Sequence, residues 1–149
     1  MSISENIDIN EIAAFQLQTI NQRYTKNRRK LIEILLKTSK PITINQILES
    51  DSKLAQSSVY RNLAVLEQAG LVVKIITNDD HAHYELAEHI LDHHHHIICS
   101  PCGEILDFHL SEKIEKALEN SLKEIADDLG FSIDRHRLDL LGTCGECTE

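Results

Sequence analysis

The sequence SSVYRNLAVLEQAGLVVKIIT, at residues 57–77, joins two patterns that decide the fold. Val59, Leu63 and Leu66 recur at the i, i+4 and i+7 spacing of a helix. Gly70 is placed to end that helix, because glycine readily adopts the left-handed conformation at a helix C-terminus. The β-branched residues after the glycine are typical of a strand. The stretch therefore predicts a helix that leads directly into a strand.

Further helices precede this stretch, and a second strand follows it. Apolar residues at helical spacing predict helices over residues 11–21 and 27–38. The segment Thr43–Gln46 has the pattern of a capping box, which predicts a short third helix. The polar turn at residues 78–80 and the strand-like residues 83–86 predict a two-stranded hairpin. Helices followed by such a hairpin describe a winged helix-turn-helix domain.

The helix before the hairpin would be the recognition helix, with Ser57 and Ser58 as candidate N-caps. Tyr60 and Arg61 lie off its apolar stripe near its N-terminus, the end that helix-turn-helix proteins usually present to the major groove. Residues 21–40 hold seven basic side chains against one acidic one. A charge run alone more often marks a solvated helix face, but beside this helix and hairpin it favours contact with DNA phosphates.

Charge and metal-binding residue types divide the chain into two parts. Of the 15 basic and 24 acidic residues, ten and nine lie in residues 1–80, whereas five and fifteen lie in residues 81–149. All nine histidines and all four cysteines also follow residue 80. Two parts with such different chemistry predict two functional modules.

The start of the chain and its apolar runs bear on location. The first 20 residues contain acidic side chains and no basic one, and no apolar run approaches the ~18 residues of a membrane helix. We therefore expect no signal peptide, no membrane partner and a cytoplasmic location.

The cysteines form two CxxC pairs, Cys99/Cys102 and Cys144/Cys147. In a cytosolic protein such pairs are more often metal ligands than disulfides. Two CxxC turns supply the four thiolates of a closed tetrahedral zinc site, and a redox dithiol is the alternative.

Four consecutive histidines, His93–His96, precede the first pair in a strand-like segment whose expected partner is residues 104–108. Alternate residues of a strand face opposite sides, so the run can serve two different metal sites. An amphipathic helix is predicted over residues 111–129, and a strand that carries His136 is predicted over residues 131–141.

These features together resemble the ferric uptake regulator family of bacterial metalloregulators. The residues that carry the resemblance are Arg23–Arg28, Ser58–Leu63, Tyr84–Leu86, His93–Gly103 and the pair Cys144/Cys147. The resemblance implies an α+β fold, in which a winged helix binds operators and a C-terminal α/β domain with a zinc-stapled antiparallel sheet forms a homodimer. The implied domains are residues 1–80 and 93–149, with a hinge at 81–92.

The resemblance also implies the roles of individual residues. The structural zinc ligands are Cys99, Cys102, Cys144 and Cys147. The regulatory metal ligands are Glu85, His89, His94 and His96, with His83 and Asp107 as further candidates. A second metal site consists of His93, His95, Glu119 and His136. The residues that contact DNA are Arg23, Arg28, Ser58, Tyr60 and Arg61.

The choice of sensed metal depends on two departures from the iron and peroxide sensors of the family. Those sensors carry a histidine near the third helix, whereas residues 1–80 contain none. His89 stands at the spacing where zinc uptake regulators have a cysteine ligand. The sequence therefore predicts a zinc-sensing repressor of metal-uptake genes. The alternative is an iron- or peroxide-responsive regulator with iron(II) or manganese(II) at the regulatory site.

Other classes of function are less well supported. The HExxH motif of zinc proteases is absent, and His83-Tyr-Glu85 matches only half of the zinc deaminase signature, because Cys102 is followed by Gly-Glu-Ile. We therefore expect no enzyme. A metal buffer or metallochaperone would need neither a basic patch nor a recognition helix.

Overall fold

The computed structural model describes residues 8–38, 40–77 and 81–148. The first part of the chain contains four helices and three strands: α1 (Ile9–Gln18), α2 (Lys26–Lys37), β1 (Ile42–Thr43), α3 (Ile44–Ser50), α4 (Gln56–Gln68), β2 (Val72–Ile76) and β3 (Ala82–Leu86). The second part contains one helix and three strands: β4 (His95–Cys99), β5 (Ile105–Phe108), α5 (Glu112–Leu129) and β6 (Asp139–Gly142).

The winged-helix unit packs its helices against a three-stranded antiparallel sheet of order β1-β3-β2. Its core is aliphatic, and Leu17, Ile47, Leu63 and Leu66 are fully buried in it. Each such side chain stabilises the fold by about 1.5–3 kcal/mol through removal of apolar surface from water. The helices and hairpin predicted from the sequence are therefore confirmed, while the predicted turn at 78–80 lies outside the described residues.

The capping box predicted at the third helix is present. Thr43 Oγ1 accepts a hydrogen bond from the Gln46 backbone N–H, and Gln46 Oε1 accepts one from the Thr43 backbone N–H. Two donors at the start of α3 are satisfied in this way. Strand β1, which is only two residues long, was not predicted from the sequence.

The predicted N-caps of α4, Ser57 and Ser58, were wrong. The N-cap is Ala55, whose carbonyl already accepts from the Val59 N–H, and it makes no side-chain cap. Ser57 and Ser58 thus lie within the first turn. The C-terminal end was predicted correctly, since the helix stops before Gly70, which has φ +80°.

The C-terminal unit has a mixed sheet of order β5-β4-β6. Strand β4 is antiparallel to β5 but parallel to β6, with His96 opposite Asp139 and Cys99 opposite Gly142. The sheet is therefore not wholly antiparallel as predicted. The predicted strand over 131–141 is also shorter, because only β6 is extended and paired.

The connection between the two sheets occupies residues 87–94. Strand β3 takes up the first half of the segment that the sequence predicted as a hinge. The connection is anchored at its start, since the buried Ala87 donates a backbone hydrogen bond of 2.8 Å to Leu71. None of the helices within the described ranges is long and apolar enough to cross a membrane.

Candidate metal centres and DNA-binding surface

The four cysteines converge at one end of the C-terminal sheet. Cys99 ends β4, and the parallel pairing with β6 brings Cys144 and Cys147 beside the Cys99–Cys102 turn. The four sulfur atoms lie within 4.8 Å of one another, and those of Cys102 and Cys144 are 3.9 Å apart. Tetrahedral zinc with Zn–S bonds of about 2.3 Å places its sulfur ligands about 3.8 Å apart. The spacing therefore fits zinc.

The thiols of this four-cysteine cluster differ in acidity. The hydrogen bond with Cys144 raises the pKa of Cys147 to about 12, and, against the backbone hydrogen bond from Glu104, the neighbouring sulfur atoms and burial raise that of Cys102, whereas the pKa of Cys99 is lowered. Backbone N–H groups of Cys144 and Cys102 donate toward the Cys99 sulfur and lower the pKa of its thiol to about 7. A thiol that ionises near neutral pH is ready to bind a cation. All four side chains are free thiols.

A second group of donors, which we call the inter-sheet cluster, consists of Glu85, His94, His96 and Asp107. Glu85 lies on β3 of the winged-helix sheet, while His96 and Asp107 face each other on β4 and β5. Glu85 lies 3.0 Å from His94 Nε2 and 2.9 Å from His96 Nε2. Asp107 lies 3.8 Å and 3.5 Å from the same two nitrogen atoms. The cluster thus takes donors from both sheets.

Two atoms of this cluster indicate that a cation belongs in it. His96 Nε2 and Asp107 Oδ1 are buried, yet neither makes a hydrogen bond within the described part of the chain. Glu85 is close enough to His96 for charge attraction, but the pair is not aligned for a hydrogen bond. Buried polar atoms without partners are rare, so their convergence fits a shared metal ion.

The pKa shifts show how the cluster is held without a metal. Burial lowers the pKa of His94 and His96, but the neighbouring Glu85 carboxylate, among other partners, outweighs burial and raises both pKa values above the ordinary range. Burial raises the pKa of Asp107, and the charge of Glu85 adds to that effect. Without a cation, the surroundings of the cluster therefore favour the protonated form of all three groups relative to their ordinary behaviour.

Two predicted ligands lie outside the inter-sheet cluster. His89 is exposed and donates through Nε2 to Gln16 Oε1 on α1, at 2.7 Å. His83 is buried on β3, two residues from Glu85, which corresponds to about 6.6 Å along a strand. Sequence spacing did not reveal that His89 faces the winged-helix unit.

The third group, the α5 cluster, contains His93, His95, Glu115 and His136. Glu115 Oε1 accepts from His93 Nε2 and His136 Nε2 at 2.8 and 2.7 Å, and its Oε2 accepts from His95 Nε2 at 2.9 Å. The hydrogen bond from His95, with those from the other two rings, lowers the pKa of Glu115 to about 2. An ionised carboxylate amid three imidazoles is a donor set suited to zinc.

The carboxylate predicted for this site, Glu119, was wrong. Glu115 lies one helical turn earlier, in the first turn of α5, and Glu119 is exposed. Residues i and i+4 share one helix face, so periodicity could not choose between them. Only the placement of α5 against β4 decides which of the two reaches the histidines.

Sequence analysis also missed two carboxylates behind the histidine ligands. Glu88 contacts His93 Nδ1, the ring atom that faces away from Glu115. Asp139 Oδ1 lies 3.5 Å from His96 Nδ1, opposite the atom that faces Glu85. Such outer partners orient a metal-binding ring.

The predicted DNA-contacting residues fall into two sets. Tyr60 and Arg61 on α4 and Arg23 before α2 are exposed. Arg28 instead donates to Asn62 Oδ1 at 3.0 Å and to the Arg23 carbonyl at 2.7 Å. Ser58 accepts from Asn62 at 3.1 Å. Arg28 therefore joins α2 to Asn62 of α4, and Ser58 supports Asn62 from within α4, whereas the first set projects into solvent.

Comparison with known proteins identifies the family. The sequence profile described as "Ferric uptake regulator family" matches residues 19–141, most of the chain. The chain belongs to the ferric uptake regulator family. The resemblance seen in the sequence and the predicted α+β fold are thereby confirmed.

Individual relatives share most of their length with this member of the family. The ferric uptake regulation protein of Campylobacter jejuni is 32% identical over 131 residues, which are 84% of this chain and 79% of that protein. The peroxide-responsive repressor PerR of Staphylococcus epidermidis is 28% identical and covers 89% of this chain and 86% of its own. The structure is also similar to the ferric uptake regulator of Helicobacter pylori, with a TM-score of 0.74, 26% identity and coverage of 99% and 95%.

These relatives are regulators and a repressor, so the chain is a metal-responsive transcription regulator of the ferric uptake regulator family. The H. pylori structure is described as revealing three functional metal-binding sites. The matches do not single out the zinc branch of the family.

Proposed function

We propose that this regulator is a repressor that binds double-stranded DNA as a homodimer when a metal ion occupies the inter-sheet cluster. The observation that carries the proposal is that the metal-binding side chains of this cluster come from two different sheets. Glu85 belongs to the winged-helix sheet, whereas His96 and Asp107 belong to the C-terminal sheet. A cation bound by both sets of donors favours one arrangement of the two units. The free energy of this preference equals the difference between the binding free energies of the cation in the two arrangements. In that arrangement the two winged helices of a dimer match successive half-sites.

The donor set favours iron(II) or manganese(II) as the regulatory metal. The prediction of zinc depended on the absence of histidine from residues 1–80, which still holds, and on His89, whose ring instead bonds Gln16. Two imidazoles and two carboxylates remain in the cluster, and each carboxylate offers a second oxygen. Sites rich in oxygen with high coordination numbers suit iron(II) and manganese(II), whereas zinc prefers four nitrogen or sulfur ligands. We therefore place these two metals ahead of zinc, and uptake of the same metal is the process we expect the repressor to control.

A peroxide response is the second candidate. Asp107 lies within the cluster. By its spacing after Cys102 it resembles a carboxylate that some peroxide sensors of the family use. The similarity to the peroxide-responsive repressor of S. epidermidis also supports this second candidate. In that case hydrogen peroxide would release the iron(II)-loaded protein from DNA and leave the manganese(II)-loaded protein bound, because iron(II) is the more readily oxidised ion.

The four-cysteine cluster and the α5 cluster complete the proposed metal content. Four thiolates at tetrahedral spacing support structural zinc, which would hold β6 beside β4. In the α5 cluster, His95 Nδ1 is buried and makes no hydrogen bond within the described ranges, so the ring is held mainly through Nε2. We assign zinc to this cluster as well.

The apolar surface of the C-terminal unit supports the homodimer. Ile114, Ile125 and Leu129 on α5 and Phe131 after it are each more than half exposed in the single chain. Exposed apolar patches of this kind mark interfaces between proteins.

The α4 surface with Tyr60 and Arg61 supports a DNA-binding regulator over a metal buffer.

The decisive experiment measures DNA binding as a function of free metal. Metal-loaded protein would first select a binding sequence from a random DNA pool. Fluorescence anisotropy on that sequence would then compare iron(II), manganese(II) and zinc(II), with zinc kept in the four-cysteine cluster. We expect iron(II) or manganese(II) to activate binding. Activation by zinc alone would restore the zinc-sensor prediction, and DNA binding that is independent of metal would refute the proposal.

A further inference from the structure

Two neighbouring residues of the connection between the sheets face different units of the molecule. Glu88 contacts His93 of the α5 cluster, and His89 donates to Gln16 of α1. Neither residue belongs to the inter-sheet cluster. The connection therefore provides a path between the two units that bypasses the regulatory metal.

On one side, Glu88 completes the surroundings of His93. The ring has a carboxylate at each nitrogen: Glu88 at Nδ1 and Glu115 at Nε2. A carboxylate that accepts from Nδ1–H fixes the tautomer of the ring and leaves Nε2 to bind the metal. Glu88 is thus a positioning residue for a metal in the α5 cluster.

On the other side, His89 reaches the end of the recognition helix through a single glutamine. The Gln16 amide accepts from His89 at 2.7 Å and donates through Nε2 to the carbonyl of Ala69 at 2.9 Å. Ala69 is the C-cap of α4. At the next residue, Gly70, a Cβ would lie 3.4 Å from the same Gln16 nitrogen, so the amide is fitted closely against the helix end.

The peptide between the two side chains leaves little freedom. Ala87 is buried and hydrogen-bonded to Leu71, and its carbonyl accepts from Ile90 at 2.9 Å and from Leu91 at 3.1 Å. Glu88 and His89 lie inside this closed turn, so a shift of one side chain is passed to the other. Leu71 also donates to Leu66 of α4, which ties the base of the turn to the same helix.

We propose that the Glu88–His89 turn couples metal occupancy of the α5 cluster to the C-terminal end of α4. A metal bound to His93 Nε2 takes the place of the Glu115 contact, and Glu88 retains the ring from behind. The turn then holds the Gln16 amide against Ala69 and orders the end of the recognition helix. Metal in the α5 cluster thereby adjusts DNA affinity. That effect on DNA affinity rests on the proposed function, whereas the ordering of α4 is independent of it.

The test begins with metal affinity. Zinc would be titrated by competition with a chelator into protein whose inter-sheet cluster is disabled by His94→Ala. Glu88→Gln should weaken binding to the α5 cluster by roughly 10–100-fold, the usual effect of losing an outer carboxylate. Glu88→Asp should recover part of that loss, and Glu119→Gln, an exposed acid of α5, is the matched control. Unchanged affinity in Glu88→Gln would overturn the role of Glu88.

The second readout follows the helix end without DNA. Hydrogen exchange of the backbone N–H groups of residues 69–71 should slow when zinc fills the α5 cluster. His89→Ala and Gln16→Ala should each abolish that slowing and change the zinc affinity by no more than the coupling factor, because coupling is reciprocal. The double variant should be no worse than either single one. Gln18→Ala, an exposed glutamine of the same helix, is the control. If zinc still slows exchange in both variants, no coupling runs through this turn.

The third readout compares DNA affinity with the α5 cluster filled and empty, in protein whose inter-sheet cluster is intact and loaded. Coupling between sites is typically about 5–150-fold, and we expect the lower part of that range here. The difference should vanish in His89→Ala. If zinc slows hydrogen exchange at the end of α4 but the protein binds no DNA, the proposed function alone is refuted. If metal activates DNA binding but zinc does not slow that exchange, the coupling alone is refuted.

Discussion

Glu85 Oε1 lies 2.9 Å from His96 Nε2, although β3 and β4 belong to different sheets. The other oxygen of the same carboxylate lies 3.0 Å from His94 Nε2. One side chain of the winged-helix sheet therefore meets both imidazoles of the inter-sheet cluster. A cation at this point has to bind both units or lose one of its ligands.

Removal of a ligand from either side should abolish metal-activated DNA binding. Glu85→Ala and His96→Ala should each reduce metal affinity at the inter-sheet cluster at least about 100-fold, since loss of an outer partner alone accounts for roughly 10–100-fold. Zinc content of the four-cysteine cluster and the circular dichroism spectrum should not change. His89→Ala is the matched control and should still respond to the regulatory metal. A loss of response in His89→Ala equal to that in His96→Ala would show that His89 is a ligand of the regulatory metal.

The pH dependence of metal binding follows from the imidazoles. Both rings must be neutral to bind a metal. Against the effect of burial, the Asp92 carbonyl and Glu85 hold the pKa of His94 above the usual range in the metal-free protein, and Glu85 does the same for His96. Metal affinity at the inter-sheet cluster should therefore fall as the pH falls through these raised values, which begins above ~6.5. Titration calorimetry at a series of pH values measures this. An affinity that does not change until well below that pH would contradict the raised pKa values.

The stability of the metal-free inter-sheet cluster should change with pH in the opposite direction. A histidine with a raised folded-state pKa contributes stability that is fully present below its unfolded value of ~6.5 and is lost as the pH rises through the folded value. With zinc retained by the cysteines, the free energy of unfolding in urea should therefore fall as the pH rises across this window. His96→Ala should flatten the profile. A parent protein whose stability rises across the window would be evidence against the pairing with Glu85.

The four-cysteine cluster should contribute to folding directly. Cys102→Ser removes one thiolate, and zinc binding of this kind contributes on the order of 10 kcal/mol in small zinc domains. We expect a loss of several kcal/mol in this larger protein, since its helical unit keeps a separate core. Zinc content and melting temperature provide the measurements, and Ser100→Ala in the same turn is the control. A variant with full zinc content and an unchanged melting temperature would exclude the four-cysteine site.

DNA recognition should separate the exposed residues from those that hold the helices. Tyr60→Ala and Arg61→Ala should weaken binding to the selected sequence without lowering the melting temperature. Arg23→Ala should weaken all sequences and reduce the salt slope by about one. Arg28→Ala should also lower stability, because Arg28 joins α2 to Asn62 of α4. Lys113→Ala on α5 is the control. Wild-type affinity in the Tyr60/Arg61 double variant would exclude α4 as the recognition helix.

The parts of the molecule that followed from the sequence are those that depend on local pattern. The apolar stripe of α4, the capping box of α3 and the left-handed Gly70 each follow from a few neighbouring residues. The alternation of His93–His96 likewise predicted that the run would divide between two clusters, and the structure places the four rings in that way.

The features that did not follow depend on how distant segments meet. Glu115 and Glu119 occupy one helix face, so only the start of α5 relative to β4 decides which reaches the histidines. The partner of His89 is Gln16, 73 residues away, and no local pattern connects them. The parallel pairing of β6 with β4 is long-range in the same sense, and it decides that Asp139 lies behind His96.

The apolar surface of α5 should be the dimer interface. Leu129 is 69% exposed in the single chain, which is unfavourable unless a second copy covers it. Leu129→Asp places a charge in that interface and should shift the protein from dimer to monomer in sedimentation equilibrium. Because two half-sites then bind independently, DNA affinity should fall with it. Phe15→Asp is the matched control, since Phe15 is equally exposed at 68% but lies on α1 of the winged-helix unit. If Leu129→Asp remains dimeric while Phe15→Asp becomes monomeric, the interface lies on the winged-helix unit instead.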